Sequence, residues 1–77
     1  MIFRFELYAK GETIDRVVDT ATPDRLLGRA RRLLQRCRAC DEIRVLVGGR
    51  QVMVLRKRAG GVIEPVPIKP VAEAGSA

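Results

Sequence analysis

The sequence contains no histidine and no tryptophan, and its single serine is Ser76, close to the end of the chain. Without histidine, catalytic triads that use an imidazole base and metal sites built from histidine are excluded. A serine nucleophile is not expected, because the one serine lies in a terminal tail. The carboxylates are scattered and form no catalytic pair, so the sequence predicts a non-catalytic protein without a cofactor.

Aromatic residues are scarce, at 4% of the chain. A sheet that stacks nucleic-acid bases needs exposed aromatic side chains. Phe3 and Phe5 alternate onto the expected core face of the first strand, and only Tyr8 falls on the other face. Gly48-Gly49 lies between two strands with no helix after it, which does not match a phosphate-binding loop. Base-specific recognition is therefore not predicted.

Long apolar runs are also missing. No stretch of about 18 apolar residues is present, so no membrane-spanning helix is expected. The first residues alternate in polarity and do not resemble a secretory signal, which makes the cytoplasm the expected compartment. A chain of 77 residues forms one small domain, and a core of this size supplies only about 3–5 kcal/mol, so a homodimer would add useful stability.

The stretch from Thr22 to Cys40 predicts one amphipathic helix. Thr22 is suited to cap the start with its hydroxyl, and Pro23 is suited to the first helical position. The apolar residues recur at helical spacing and form one stripe that is expected to pack on the core; they are Leu26, Leu27, Ala30, Leu33, Leu34 and Cys37.

Two strands are predicted before this helix and two after it. Residues 2–9 alternate in polarity, and residues 13–20 are rich in β-branched side chains, with a bulge expected at Val17 and Val18. After the helix, residues 43–47 and 51–58 flank Gly48-Gly49 and predict a second hairpin.

The register of the second hairpin has two solutions. A two-residue loop would place Val52 and Val54 on the face of Val45, whereas a three-residue loop would place Met53 and Leu55 there. The Pro-rich residues 62–68 either add a short edge strand or lie extended across the sheet, because proline does not fit a central strand. Residues 71–77 are expected to be a disordered tail.

The predicted fold is therefore α+β in the order β-β-α-β-β, with one helix packed on a mostly antiparallel four-stranded sheet and an optional fifth edge strand. Residues 1–59 form the expected domain, followed by a Gly/Pro-rich segment over residues 60–77 that is expected to be partly or wholly disordered. The other sheet face is expected to be apolar enough to need a cover, which is a second copy, the Pro-rich segment or a protein partner. The interface residues predicted there are Tyr8, Arg44 and Leu46.

The chain carries a net charge of +6, and residues 43–58 include five basic and no acidic residues. Such a field favours a polyanion, either nucleic acid or an acidic protein surface. The alternative is a solvated helix face, which is the commoner meaning of a charge run. The residues expected to bind a polyanion are Arg25, Arg29, Arg32, Arg36, Arg50, Arg56, Lys57 and Arg58.

Cys37 and Cys40 form a C-x-x-C pair at the expected helix end. The negative end of the helix dipole raises the pKa of a thiol, which disfavours a reactive thiolate there. A zinc site needs four ligands, so only a dimer of this chain would complete one. We therefore expect Cys37 to pack as a small core residue and Cys40 to lie at the rim of the apolar stripe.

Two functional hypotheses follow. The first is a non-catalytic module that binds a polyanion, above all a nucleic-acid backbone, through the helix and the second hairpin. The second is an assembly protein that dimerises or docks a partner through the uncovered sheet face, with the arginines serving solubility.

Overall fold

A computed structural model describes residues 1–68 of the chain. The elements, in chain order, are β1 (Ile2–Ala9), β2 (Glu12–Thr20), α1 (Pro23–Arg36), β3 (Glu42–Val47), β4 (Arg50–Lys57), a 3-10 turn (Ala59–Gly61) and β5 (Ile63–Pro65). No helix in this part of the chain is long and apolar enough to cross a membrane.

The five strands form one antiparallel sheet in the order β2-β1-β3-β4-β5. The helix packs on one face of this sheet, and within residues 1–68 no helix covers the other face, which we call the open face. The predicted α+β fold is confirmed, and the optional fifth strand is present as β5 at one edge. Part of the Gly/Pro-rich segment thus belongs to the sheet, whereas the tail predicted over residues 71–77 lies outside the described residues.

The core lies between α1 and the three inner strands of the sheet, β1, β3 and β4. Phe3, Phe5 and Leu7 of β1 alternate onto the helix side of the sheet, as the polarity pattern predicts. They meet the buried side of the helix and the inward side chains of β3 and β4; those partners are Leu26, Ala30, Leu34, Ile43, Val45 and Leu55.

Both hairpins turn through two residues with positive φ. Lys10 and Gly11 have φ of 52° and 82°, and Gly48 and Gly49 have φ of 58° and 82°. Two-residue hairpin loops of type I′ require positive φ at both central positions, because this backbone matches the right-handed twist of the strands. Glycine adopts the conformation without a Cβ penalty, which explains its presence in both turns.

The second hairpin combines features of both predicted registers. Val47 is opposite Arg50, so the loop has two residues, yet Val45 is opposite Met53. The register shifts after Val45, which leaves Val52 as an extra residue in β4. This bulge returns Met53 and Leu55 to the helix side, because burying their larger side chains removes more apolar surface from water than burying valines would.

The first hairpin also contains a bulge, but not at the predicted site. Tyr8 is opposite Thr13 and Leu7 is opposite Asp15, so Ile14 is the extra residue. Val17 and Val18 follow regular pairing: Val17 lies on the helix side opposite Phe5, and Val18 lies on the open side, 66% exposed. The prediction of a bulge at Val17 and Val18 was wrong because an edge strand leaves one of two adjacent valines in solvent.

The helix is shorter than predicted and ends at Arg36 instead of continuing to Cys40. Cys37 has extended backbone angles, with φ of −89° and ψ of 98°. The N–H of Cys40 donates to the carbonyl of Cys37 over 3.1 Å, which closes a tight turn. The Nζ of Lys57 donates to the same carbonyl over 2.9 Å and links this turn to β4.

A disulfide joins Cys37 and Cys40 across this turn, and their Cα atoms are 5.3 Å apart. The prediction that both cysteines act only as packing residues was therefore wrong. Cys40 is the more buried of the two, at 2% exposed, and belongs to the core. A continuous helix through Cys40 would have kept both residues in helical geometry, whereas the turn brings Cys40 beneath α1.

Two details of the predicted helix also differ. Thr22 is the residue before the helix, but its side chain makes no capping hydrogen bond, and its backbone carbonyl instead accepts from the N–H of Arg25 over 3.0 Å. Leu27, predicted in the apolar stripe, is 46% exposed. It lies at the edge of the stripe, beyond the reach of the strands beneath the helix.

Reducing the disulfide is expected to lower the free energy of unfolding by roughly 2 kcal/mol, the loop-closure entropy of a four-residue ring in the unfolded chain. Urea unfolding with and without a phosphine reductant measures this difference. The Cys37→Ala, Cys40→Ala double variant is the control, because its unfolding midpoint must not respond to reductant. An unchanged midpoint in the wild-type chain would contradict the prediction.

Candidate polyanion-binding site

Four arginines lie along one flank of α1. Arg25, Arg29, Arg32 and Arg36 are spaced by four, three and four residues, which keeps them on one side of a helix. At about 1.5 Å per residue, their Cα atoms span about 16 Å along the helix axis. We call these four residues the arginine row.

An open groove of about 850 Å³ lies between the first half of α1 and the end of β2. Arg25, Arg29 and Arg32 form its helical wall, and Asp19 and Thr20 of β2 form part of the opposite side. The groove exists because α1 crosses the central strands and leaves the end of the edge strand uncovered. Three of the four members of the arginine row, Arg25, Arg29 and Arg32, thus border an open groove.

Asp19 is the acidic neighbour of the arginine row. Its Oδ2 accepts a hydrogen bond from Nη2 of Arg29. The two side chains remain 37% and 41% exposed, and an ion pair of this exposure contributes only about 0.2–1 kcal/mol. Strand alternation puts Asp19 on the helix side of β2, a position that could be read from the sequence, but its pairing with Arg29 depends on where the helix lies.

The other members of the arginine row have no acidic partner within residues 1–68. No carboxylate of this region lies within 4 Å of the guanidinium nitrogens of Arg25, Arg32 or Arg36. All three side chains are exposed. A guanidinium in this state presents its five N–H donors to solvent in the planar fork that matches phosphate and carboxylate groups.

Most basic residues of the second hairpin are held away from this row. Arg50 lies at the turn end of β4 and Arg56 near the other end, about 20 Å away by strand rise. Arg56 pairs with Glu42 over 3.2 Å, and Arg58 pairs with Glu64 over 2.7 Å. The amino group of Lys57 is engaged by the carbonyl of Cys37. Because Cys37 follows Arg36, Lys57 lies next to the end of the arginine row, whereas Arg56 and Arg58 pair with glutamates of the sheet. The eight residues predicted to bind a polyanion therefore do not form one continuous site.

Two buried glutamates organise the open face of the sheet, and the sequence analysis named neither as a site residue. Glu42 is 9% exposed, and its Oε2 accepts from Nε of Arg44 over 2.6 Å while its Oε1 accepts from Arg56. The hydrogen bond from Arg44 to Glu42 is the main reason why the pKa of Arg44 is raised above its ordinary value. A buried carboxylate needs such partners, because an unpaired one would be strongly destabilised.

Glu6 forms the second cluster, also at 9% exposed. Its Oε1 accepts from the hydroxyl of Tyr8 over 3.0 Å. Its Oε2 lies 3.7 Å from Nε of Arg4 and 3.4 Å from Nε of Arg16. Cross-strand pairing places Glu6 between Arg16 on β2 and Arg44 on β3. The cluster could be predicted from the sequence only if the strand order were known, because its charges come from β2, β1 and β3.

The predicted interface residues lie within this charged face. Arg44 stacks over the ring of Tyr8, with its guanidinium carbon 4.1 Å from the ring centre, a cation–π contact. Leu46 is partly buried and opposite Arg4. Val54 is 8% exposed and lies beside Val66. The N–H of Val66 donates to the carbonyl of Val54 over 2.9 Å. The open face therefore carries paired charges at its centre and exposed apolar side chains such as Ile2 and Val18 away from it.

Within residues 1–68, no cluster of three or more histidine, cysteine or carboxylate side chains has the arrangement of a metal site. Comparison of the chain with protein-family models, with curated proteins and with solved structures finds no match.

Proposed function

We propose that this protein is a non-catalytic binding module for a polyanion, with a nucleic-acid backbone as the ligand, and that the arginine row is its contact surface. One observation supports this most directly. The arginines of the open sheet face are paired with glutamates, whereas Arg25, Arg32 and Arg36 have no carboxylate partner within residues 1–68.

The ligand is proposed from the geometry of the row. Its span of about 16 Å covers about five phosphates of one DNA strand at 3.4 Å each. Arginine binds phosphate oxygens in a bidentate manner, which fixes a helix on the backbone without reading bases. The side chains of the second hairpin are left out of the contact surface, since most of them are already engaged. The ligand therefore contacts α1 and the groove beside it.

The second hypothesis, docking of a protein through Tyr8, Arg44 and Leu46, has weaker support. A docking surface gains affinity from apolar area at its centre. Here the centre carries ion-paired side chains, and a partner would have to desolvate them without removing their counter-charges. In the arginine row only Arg29 has such a counter-charge within residues 1–68, from the exposed Asp19.

Fluorescence anisotropy with a labelled oligonucleotide duplex and a single strand tests the proposal. With four phosphate contacts, the logarithm of the association constant is expected to fall against the logarithm of salt concentration with a slope of about −3.6 for the duplex and about −2.8 for the single strand. Micromolar binding at physiological salt supports the proposal. Binding that disappears when low salt is raised to physiological salt would overturn it.

A further inference from the structure

β2 forms one end of the sheet and pairs with β1 along one side only. The N–H of Ala21 donates to the carbonyl of Met1 over 3.3 Å. Since hydrogen-bonding direction alternates along an antiparallel pair, the odd-numbered residues of the regular part of β2 bond to β1. The backbone groups of Arg16, Val18 and Thr20 then point away from the sheet, and within residues 1–68 no strand lies beyond them.

Two of these three outward N–H groups are occupied by aspartates of the same strand. The N–H of Arg16 donates to Oδ1 of Asp15 over 2.8 Å, and the N–H of Thr20 donates to Oδ1 of Asp19 over 2.8 Å. The outward N–H of Val18 lies between them with no such side-chain acceptor in the described chain. The Val18 side chain is 66% exposed on the open face.

An edge of this kind can pair with a second copy about a two-fold axis, and charge restricts the register. A two-fold axis perpendicular to the sheet keeps each side chain on its own face, and directly opposite residues of antiparallel strands share a face. The axis must therefore pass beside one residue of the regular segment 15–20, and this residue faces its own copy. If the axis passes beside Arg16, the Arg16 side chains of the two copies are directly opposite each other. If it passes beside Asp19, the two Asp19 side chains are. Centring on Val17 opposes Asp15 to the Asp19 of the second copy.

Two registers avoid like charges directly opposite each other, those centred on Val18 and on Thr20. Only the one centred on Val18 keeps paired residues of β2 on both sides of the axis, because β2 ends at Thr20. It sets Val18 against Val18, Arg16 against Thr20 and Val17 against Asp19. In this register the outward-pointing residues of the two edges form the hydrogen-bonded pairs, so the exposed backbone of each copy matches that of the other. Val18 of both copies would bury apolar surface at the axis.

We propose that β2 is a self-association edge, through which two copies of this chain pair antiparallel about Val18, and that Asp15 and Asp19 hold this association weak by occupying the neighbouring N–H groups. The proposal goes beyond polyanion binding and does not depend on it. Pairing would extend the sheet across both copies. The groove beside each β2 would then border the two-fold axis.

Sedimentation velocity up to millimolar concentration tests this with three variants. Asp15→Ala frees the N–H of Arg16 in both copies and is expected to strengthen dimerisation about tenfold relative to the wild-type chain. Asp24→Ala makes the same charge change on the exposed first turn of α1 and is expected to leave the association constant unchanged. Val18→Asp, placed in the Asp15→Ala background, sets two carboxylates opposite each other and is expected to abolish the dimer.

Hydrogen exchange provides an independent measure of the interface. In the Asp15→Ala variant, the amide of Val18 is expected to become protected from exchange as the protein concentration rises. The Val18→Asp substitution is expected to leave folding unchanged, because the Val18 side chain is exposed. Asp15→Ala that stays monomeric at millimolar concentration would overturn the proposal. A dimer that persists with Val18→Asp would overturn it as well, since such a dimer uses another surface.

Discussion

The Arg25→Glu, Arg32→Glu double variant is expected to bind a DNA duplex about a hundredfold more weakly than the wild-type chain. Each lost hydrogen bond to a charged group costs about 1.5–3 kcal/mol, so two of them correspond to at least that factor. The slope of affinity against salt is expected to become shallower by about two, one for each lost phosphate contact. Anisotropy titrations over a range of salt concentrations measure both quantities.

The matched control is the Arg31→Glu, Arg38→Glu double variant. It changes the net charge by the same amount, and both side chains are exposed, but neither belongs to the arginine row. A long-range effect of net charge would weaken binding equally in the two double variants. Equal losses would therefore contradict a localised site, as would a first variant that binds like the wild-type chain while its circular dichroism spectrum is unchanged.

Local patterns were sufficient to predict the elements of the fold. Strict alternation in β1 identifies Phe3, Phe5 and Leu7 as core residues, and all three are buried. The helical spacing of Leu26, Ala30 and Leu34 likewise identifies the buried side of α1. These signals are local, because each depends only on the period of the element that carries it.

The departures from prediction arise where a contact between distant residues overrides a local period. The apolar stripe continues to Cys37, but the tight turn and its disulfide end the helix at Arg36. The bulge in β4 resets a register that the two-glycine loop alone would have set differently. Neither event is visible in a helical or strand period, since each satisfies the packing of the core as a whole.

The candidate site shows the same limit. The spacing of the arginine row follows from the sequence, but which arginines lack acidic partners depends on the strand order. Glu6 reaches cations on β1 and β2, and Glu42 reaches cations on β3 and β4. Sequence position alone made the second hairpin look like the most basic surface, whereas cross-strand pairing neutralises much of it. The helix thereby becomes the surface on which uncompensated charge is concentrated.

Phe5→Ala is expected to unfold most of the protein at room temperature. Phe5 is fully buried between α1 and the centre of the sheet, and removing a buried phenylalanine costs about 3–5 kcal/mol. A domain of this size has only about 3–5 kcal/mol of stability from its core, so the loss is comparable to the total.

Ile2→Ala in the same strand is the control for this prediction, because Ile2 is 65% exposed and such a change alters stability by about 0.5 kcal/mol or less. Urea unfolding followed by circular dichroism compares the two variants. If Phe5→Ala unfolded cooperatively at the urea midpoint of the wild-type chain, the prediction would be contradicted, because the helix and sheet would then not share one core. Loss of that transition, with Ile2→Ala unchanged, would show that the face of β1 that packs against α1 holds the fold together.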